Sequence, residues 1–340
     1  MLTSPLANSA PRKLSPARAS GPTPNKKVWK SDGNIVLATD KHLYRVHKSV
    51  LSENSLVFRD MLDLASPDSD DGEKSPEGDG ASENGPNSWE GLPVVRLRDK
   101  DEELEYLLRA LYSRRFFRVH EQSTVPIVTG LLNLSNKYDV PDLRYDVVKH
   151  LQRYFPSTLE EYKLRDNHKI FAHFDDADLH RLLALAHHCN ARVVLPVLFY
   201  LCALVDERLY ENIYASHVPP HVFQIIREGG KKLRTGTWEV IDRGSRKRTS
   251  GQDCSSKSCK ARRGYYYVAE YYKFCRTPFD DDDNKSKDVR YFCANCKYAA
   301  FSRISCVPGE LWEKLPSFFD LPEWNVLKAE VDSESADEFN

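Results

Sequence analysis

The stretch at residues 32–62, DGNIVLATDKHLYRVHKSVLSENSLVFRDML, constrains the fold of this chain more than any other part of the sequence. An apolar run at Ile35–Leu37 is followed by the polar pair Asp40-Lys41 and by an alternating run from Leu43 to Val46, a pattern that predicts a β-hairpin. Beyond the hairpin, apolar residues recur at helical spacing after Ser55, whose hydroxyl is suited to cap a first helical turn. The stretch therefore predicts two short strands followed by helices.

One further strand and three helical patterns continue this block to residue 156. The strand is PVVRL, and the helical patterns are KDEELEYLLRALYS, TVPIVTGLLNLSNKY and VPDLRYDVVKHLQRYF. An acidic insert at residues 66–91 interrupts the block, and its segment SPDSDDGEKSPEGDGASENGPNS has no apolar residue larger than Ala. Such a composition cannot bury enough surface to fold, so we expect a disordered insert. The order of elements predicts an α+β domain at residues 28–156, with too few strands for a doubly wound sheet.

The rest of the chain divides into two tails and a helical region. Residues 1–27 are rich in Pro, Ser and Ala and are predicted to be a disordered tail, and residues 328–340 form an acidic tail. The apolar patterns at residues 157–327 are helical, and one helix is expected to end at Gly229-Gly230. The sequence has neither an apolar run of about 20 residues nor the apolar core of a secretory signal, so we expect a soluble cytoplasmic or nuclear protein.

Several segments of the domain at residues 28–156 resemble the BTB/POZ family. They are DGNIVL with HLYRVHKSVLSENSLVFRDML, then VVRLRDKDEELEYLLRALYS and LLNLSNKYDVPDLRYDVVKHL, while the later LWEKLPSFFDLPEW is similar to the ends of fungal BTB proteins. The resemblance implies a BTB/POZ fold, with a short three-stranded sheet and helical hairpins, followed by a mainly α-helical C-terminal region. It also implies a protein-binding role, either self-association as a homodimer or recruitment of a protein partner. An adaptor that binds the cullin scaffold of a ubiquitin ligase is the alternative within the family.

The resemblance implies a contact surface in the first part of this domain. In dimeric BTB transcription factors, the positions that match Asn34 and Lys48 usually carry an acid and a base, whereas Asn34 is uncharged here. His47 has no nucleophile or carboxylate partner at a recognisable spacing, and in BTB domains the matching histidine is a fold residue. With no phosphate-binding loop or nucleophile elbow in the sequence, we expect no enzymatic activity. The candidate interface residues are Asn34, Ile35, His47, Lys48 and Leu51.

Six of the eight cysteines lie between residues 254 and 306. Cys254 and Cys259 form a C-x4-C pair, Cys293 and Cys296 form a C-x2-C pair, and two such pairs can supply the four thiolates of a structural zinc site. A metal would order a region that is poor in aliphatic residues, and the basic stretch and the tyrosine-rich segment would then form a loop closed at its base by the metal. Unrelated buried thiols are the alternative, and Cys275 or Cys306 could replace one of the four ligands.

A basic run overlaps the first cysteine pair. Residues 231–264 carry eleven bases against three acids, and tyrosines follow. Charge interleaved with aromatic residues is typical of nucleic-acid binding, so a nuclear regulator that binds nucleic acid through residues 231–263 is an alternative function. Basic runs are more often solvated loops, and the sequence has no zinc finger with two cysteines and two histidines. Nucleic acid is therefore not the expected partner.

Overall fold

The structure is a computed structural model that describes residues 21–64, 88–166, 169–205, 218–246, 254, 257–275, 277–279 and 292–334. The described chain divides into two compact units. A sheet unit contains the residues up to His47 and those from 88 to Asp101, and a helical unit contains the others. The predicted α+β class is confirmed, although the sheet has more strands than the three expected.

The sheet unit contains a five-stranded mixed sheet. The predicted hairpin is present as its centre, where Ile35 pairs with Val46 and Ala38 pairs with Leu43 in antiparallel register. The first strand pairs in parallel with the second hairpin strand, and the strand order is β1-β3-β2-β5-β4. The strands are β1 (Thr23–Trp29), β2 (Ile35–Ala38), β3 (His42–Val46), β4 (Ser88–Trp89) and β5 (Leu92–Arg96).

Strand β1 lies partly inside the segment predicted to be a disordered tail, so the prediction for residues 1–27 is wrong from Thr23 onward. The strand has no apolar pattern from which it could be predicted. Backbone pairing with β3 and a few buried groups hold it in place. Val28 is buried, and the buried Asn25 accepts hydrogen bonds from the N–H groups of Lys27 and Val28 at 2.8 and 3.1 Å. Residues 1–20 lie outside the described part of the chain.

The end of the predicted acidic insert is also ordered. Strand β4 begins at Ser88, and the residues between β4 and β5, Glu90 and Gly91, have φ angles of 47° and 76°. Two consecutive positive φ angles are the signature of a tight type I′ hairpin turn, which the short strand pair requires. The insert predicted at residues 66–91 is therefore wrong for its last four residues, and residues 66–87 lie outside the described part.

The helical unit packs around one continuous apolar core, which includes residues from Phe117 to Val331 and thus from both sides of the predicted boundary at residue 156. The capping predicted for Ser55 is confirmed, since its hydroxyl accepts a hydrogen bond from the N–H of Phe58 at 2.9 Å. The helices are α1 (Lys48–Asn54), α2 (Leu56–Leu64), α3 (Asp101–Tyr112), α4 (Val125–Lys137), α5 (Pro141–Gln152), α6 (Leu159–Leu164), α7 (Asp176–His188), α8 (Leu195–Ala203), α9 (Pro220–Arg246), α10 (Lys257–Phe274), α11 (Ala294–Ser305), α12 (Val307–Phe318) and α13 (Trp324–Glu334).

Helix α9 continues past the glycine pair at which the sequence predicted its end. A Cβ atom on Gly229 would lie 2.1 Å from the ring of Phe319, and one on Gly236 would lie 2.8 Å from the ring of Phe318. The glycines therefore permit close approach of α9 to the end of α12 and do not terminate the helix. As a consequence, residues 231–246 of the predicted basic loop are helical.

The C-terminal segment that resembles the ends of fungal BTB proteins forms part of this core. Trp312 and Trp324 are buried and stacked with their ring centroids 5.6 Å apart, and the indole N–H of Trp324 donates to the carbonyl of Trp312 at 2.8 Å. Helix α13 then continues to Glu334, and its Val331 is buried. The acidic tail predicted at residues 328–340 is therefore wrong up to residue 334. Among the described residues, no helix combines the length and the apolar character that crossing a membrane requires.

Candidate metal centre

The four cysteines predicted to bind zinc come together in the structure. Each of their Sγ atoms lies within 4.8 Å of the other three, and the Cys254–Cys293 distance is 3.7 Å. A tetrahedron with Zn–S bonds near 2.3 Å has sulfur–sulfur edges of about 3.8 Å. The Cys254–Cys293 distance thus matches an edge of a closed zinc–thiolate site, and none of the other sulfur–sulfur distances exceeds that edge by more than about 1 Å. The other two members of the cysteine-rich segment, Cys275 and Cys306, are not part of the cluster.

Both pairs of cysteines stand at the beginning of a helix. Cys259 is the third residue of α10 and Cys254 precedes that helix, while Cys293 is the N-cap of α11 and Cys296 lies in its first turn. The free N–H groups and the positive end of the helix dipole favour negative charge at such positions. One of these N–H groups, that of Cys293, donates to the sulfur of Cys259 at 3.2 Å. The cluster therefore lies where the beginnings of two helices favour negative charge.

The thiol of Cys296 has a raised pKa in this cluster. Burial raises the pKa of this thiol to about 12, and hydrogen bonds with the thiols of Cys254 and Cys293 contribute in the same direction. Four thiolates at these distances would repel one another unless a positive ion lay between them. A bound metal takes the place of the protons, so binding releases protons and weakens at low pH.

The surroundings of the cluster are aromatic and not aliphatic. Cys259 is buried together with Tyr266 and Tyr267 on one side of α10, and the ring of Tyr266 lies 5.5 Å from that of Phe292, which precedes Cys293. The sequence analysis placed the tyrosines in a loop that the metal would close, whereas they lie on helix α10. The cluster therefore connects the beginnings of two helices and is not the base of a loop.

Cys275 and Cys306, which could have replaced a ligand, have other contacts. The thiol of Cys306 donates to the carbonyl of Arg303 at 3.1 Å at the end of α11. Cys275 follows α10 at its opposite end, where burial raises the pKa of its thiol although a hydrogen bond with Tyr271 lowers it. Both cysteines are thus separated from the cluster by the length of a helix.

The structure places the candidate interface residues in different environments. Asn34 is exposed and its N–H donates to the carbonyl of Val46 at 2.9 Å, and Lys48 is half-buried. Ile35 and Leu51 are buried with exposures of 1 % and 0 %, so in this conformation neither presents a surface to a partner. Both side chains pack within the chain in this structure, and their assignment to an interface stays a prediction.

His47 lies between β3 and α1, as the sequence predicted. Its Nε2 atom is 3.2 Å from a carboxylate oxygen of Asp32, whose side chain is 82 % exposed. The backbone of Asp32 is the largest cause of the lowered pKa of that carboxyl, and the hydrogen bond with His47 also contributes. The sequence analysis found no carboxylate partner for His47, so the contact with Asp32 is a correction. It joins the ring to the residues just before β2, and the structural role of His47 stays a prediction.

A buried polar network in the sheet unit was missed by the sequence analysis. The carboxylate of Asp101, which is 4 % exposed, accepts hydrogen bonds from Thr39 at 2.5 Å and from Tyr44 at 2.9 Å, and it lies 2.7 Å from Nδ1 of His42. Burial alone would raise the pKa of Asp101, but these three partners lower it below the ordinary value. The acidic start of the predicted helix was visible in the sequence, whereas its partners depend on the tertiary fold.

The cysteine cluster is the arrangement with the clearest chemical capacity. Four sulfur ligands complete a tetrahedral coordination and leave no open position for a substrate, which is the pattern of a structural and not a catalytic metal site. Thiolate-rich tetrahedral sites select zinc over hard cations such as Mg²⁺ and Ca²⁺. Comparisons with protein-family models, with curated proteins and with solved structures found no significant match.

Proposed function

We propose that this chain is a non-enzymatic protein-interaction protein whose C-terminal helices are held by one structural zinc ion. The observation that carries the proposal is the convergence of the sulfurs of Cys254, Cys259, Cys293 and Cys296 to within 4.8 Å of one another. Because the sulfurs belong to the beginnings of α10 and α11, the metal fixes these two helices relative to each other.

The need for a metal follows from the composition of α10 and α11. Among their described side chains, the buried ones are Cys259, Tyr266, Tyr267, Glu270 and Ala300, and no large aliphatic residue is among them. Apart from the two tyrosines, few fully buried apolar side chains are therefore available to order the pair. Zinc binding supplies free energy of folding, since the four ligands are not preassembled in an unfolded chain.

The interaction role rests on the resemblance to BTB/POZ domains, and the exposed residues of the sheet unit support it. Within this unit Asn34 is exposed and His47 is half-buried. Strand β1 is a terminal strand of the sheet, and a terminal strand offers backbone groups to which a second chain can add. A second copy of this chain is the partner that we propose for this surface.

The zinc part of the proposal is tested by elemental analysis of the purified full chain. We expect one zinc per chain, retained by Cys306→Ser and lost in Cys259→Ser and Cys296→Ser. Cys306 is a matched control because it lies in the same segment, is exposed, and is not part of the cluster. Wild-type protein without zinc, or equal zinc content in all four proteins, would overturn the assignment.

The interaction part is tested separately by sedimentation velocity of the full chain at micromolar concentration. We expect a dimer that weakens when Asn34 is replaced by Arg, since a positive charge at this exposed position would be repeated across a two-fold interface. Gly264→Ala, an exposed change on helix α10, serves as the control. A strictly monomeric wild-type protein would contradict self-association without affecting the zinc assignment.

A further inference from the structure

Helix α10 has an unusual solvent-exposed side. Its buried residues Cys259, Tyr266, Tyr267 and Glu270 face one way, and the opposite side carries Tyr265, Val268 and Tyr272 at the spacing i, i+3, i+7. These three side chains are 71 %, 40 % and 67 % exposed. A surface helix ordinarily presents charged residues to solvent, so an aromatic stripe at this position calls for an explanation.

Neighbouring helices carry exposed aromatic residues as well. Tyr298 and Phe301 on α11 are 77 % and 56 % exposed, and Trp238 on α9 is 41 % exposed, with its ring 5.1 Å from that of Tyr271. Among the large hydrophobic side chains that are exposed in the described residues, all of the aromatic ones belong to α9, α10 and α11. The exposed apolar residues elsewhere in the described chain are Leu and Val. The aromatic exposure is therefore a property of this region.

The same helices are strongly basic. The sequence of α10 contains five bases and a single acid, Glu270, which is buried, and α11 contains two bases and no acid. A base lies within two positions of each exposed tyrosine or phenylalanine, as the pairs Arg263–Tyr265, Tyr272–Lys273, Lys297–Tyr298 and Phe301–Arg303 show. Both helices therefore carry a net positive charge near the exposed rings, although residues one or two positions apart on a helix do not share one side.

We propose that the exposed aromatic side of these two basic helices, named here the aromatic face and defined as Tyr265, Tyr272, Tyr298 and Phe301 with the exposed Lys257 and Lys297, binds single-stranded nucleic acid. Bases stack on exposed aromatic rings while phosphates are attracted to the neighbouring cations, and this combination requires no particular base sequence. The proposal goes beyond the protein-interaction role and assigns this face a ligand of its own.

The charge pattern favours a nucleic acid over other occupants. A second copy of this chain would bring two positively charged faces together, which disfavours self-pairing here. Protein interfaces are enriched in Tyr, Trp and Arg but depleted in Lys, whereas α10 and α11 have four lysines among their seven bases. A nucleic acid offers phosphates that are attracted to the lysines and bases that stack on the aromatic residues.

The spacing of the rings also fits a flexible single strand. Tyr265 and Tyr272 are seven residues apart, which corresponds to about 10 Å along a helix axis. A single strand can adjust its backbone to place separate bases on both rings, whereas the bases of a duplex are stacked on one another and unavailable. We therefore expect weaker binding of a duplex than of a single strand with the same number of phosphates.

Fluorescence anisotropy with the zinc-loaded full chain tests the proposal, using a labelled 20-nucleotide oligo-dT, the matching duplex and an acidic peptide as probes. We expect the affinity for oligo-dT to fall at least tenfold when Tyr272 and Tyr298 are both replaced by Ala, and to be retained when both are replaced by Phe. In Lys297→Gln, the slope of log affinity against log salt should become less negative by about 0.7.

A matched control is Leu164→Ala, which removes an 82 % exposed apolar side chain on α6 and should leave the affinity unchanged. The zinc content and the circular dichroism of each variant verify that the helices are intact. No binding of oligo-dT at low salt, or binding that the double alanine variant retains, would overturn the proposal. If only the acidic peptide bound, and bound through the same tyrosines, the face would belong to an acidic protein partner and the nucleic-acid assignment would be wrong.

Discussion

Two adjacent glycines of α9 should respond in opposite directions to the same substitution. A methyl group on Gly229 would lie 2.1 Å from Cδ1 of Phe319 and 3.0 Å from the carbonyl oxygen of Phe318. The ring of Phe319 is 2 % exposed and stacks on that of Phe199 with centroids 5.3 Å apart, so it has no free space into which to turn. Gly230 lies one position further, and a Cβ there would lie 3.4 Å from the Cβ of Ala203, an ordinary contact distance.

The expected magnitudes follow from two opposing contributions. Replacing a helical glycine by alanine favours the folded state by about 1 kcal/mol, whereas forcing an extra carbon into a packed core costs about 1–3 kcal/mol. At Gly229 the overlap puts the cost at the upper end, so Gly229→Ala should lower the free energy of unfolding by about 2 kcal/mol. At Gly230 the gain from helix propensity should dominate, so Gly230→Ala should raise it by up to about 1 kcal/mol.

Urea unfolding followed by circular dichroism measures both variants against the wild type. The reasoning predicts a lower midpoint for Gly229→Ala and an equal or higher midpoint for Gly230→Ala, with similar slopes. A Gly229→Ala protein as stable as the wild type would show that α9 and α12 do not approach each other as described. Equal destabilisation by both substitutions would show that α9 ends at the glycine pair.

Three further predictions concern the metal, the buried carboxylate and the acidic insert. Removing zinc with a chelator should reduce helicity and lower the melting temperature of the wild type, while a Cys296→Ser protein should show no response. Asp101→Asn should destabilise the fold by about 2 kcal/mol at pH 7, because a buried three-partner network loses its charge. Since the pKa of Asp101 is lowered in the folded state, this contribution is present above about pH 4 and is lost as the pH falls through the lowered pKa, so the wild type and Asp101→Asn should converge in acid. Replacing residues 66–87 by a short Gly-Ser linker should change the melting temperature by only a few degrees, provided that Ser88 in β4 is kept, and a larger loss would show that the insert packs.

The sequence predicted the elements whose formation depends on residues that are close together in the chain. The β2–β3 hairpin follows from alternating apolar residues, and the cap at Ser55 follows from its position before an apolar helical stripe. Strand β1 has no such pattern, because its place depends on backbone pairing with β3. The role of Gly229 likewise depends on Phe319, which is 90 positions away, so the glycine pair was interpreted by its commoner use as a helix end.

The candidate metal ligands could be predicted from the sequence because structural zinc sites use closely spaced pairs of cysteines. Two closely spaced cysteine pairs in one segment predicted a metal site with unrelated buried thiols as the alternative, and the structure brings the same four sulfurs together. The exposed aromatic side of α10 was not predictable, since the tyrosines of YYYVAEYY occupy every side of a helix. Only the packing of Tyr266 and Tyr267 toward the interior distinguishes them from the exposed Tyr265 and Tyr272.

X-ray absorption at the zinc edge, measured on the purified full chain, tests the central claim most directly. The account predicts one zinc per chain with a coordination shell of four sulfurs at about 2.3 Å. The sulfurs of Cys254, Cys259, Cys293 and Cys296 supply that shell. A shell containing nitrogen or oxygen ligands, or protein that holds no zinc after purification without chelator, would contradict it.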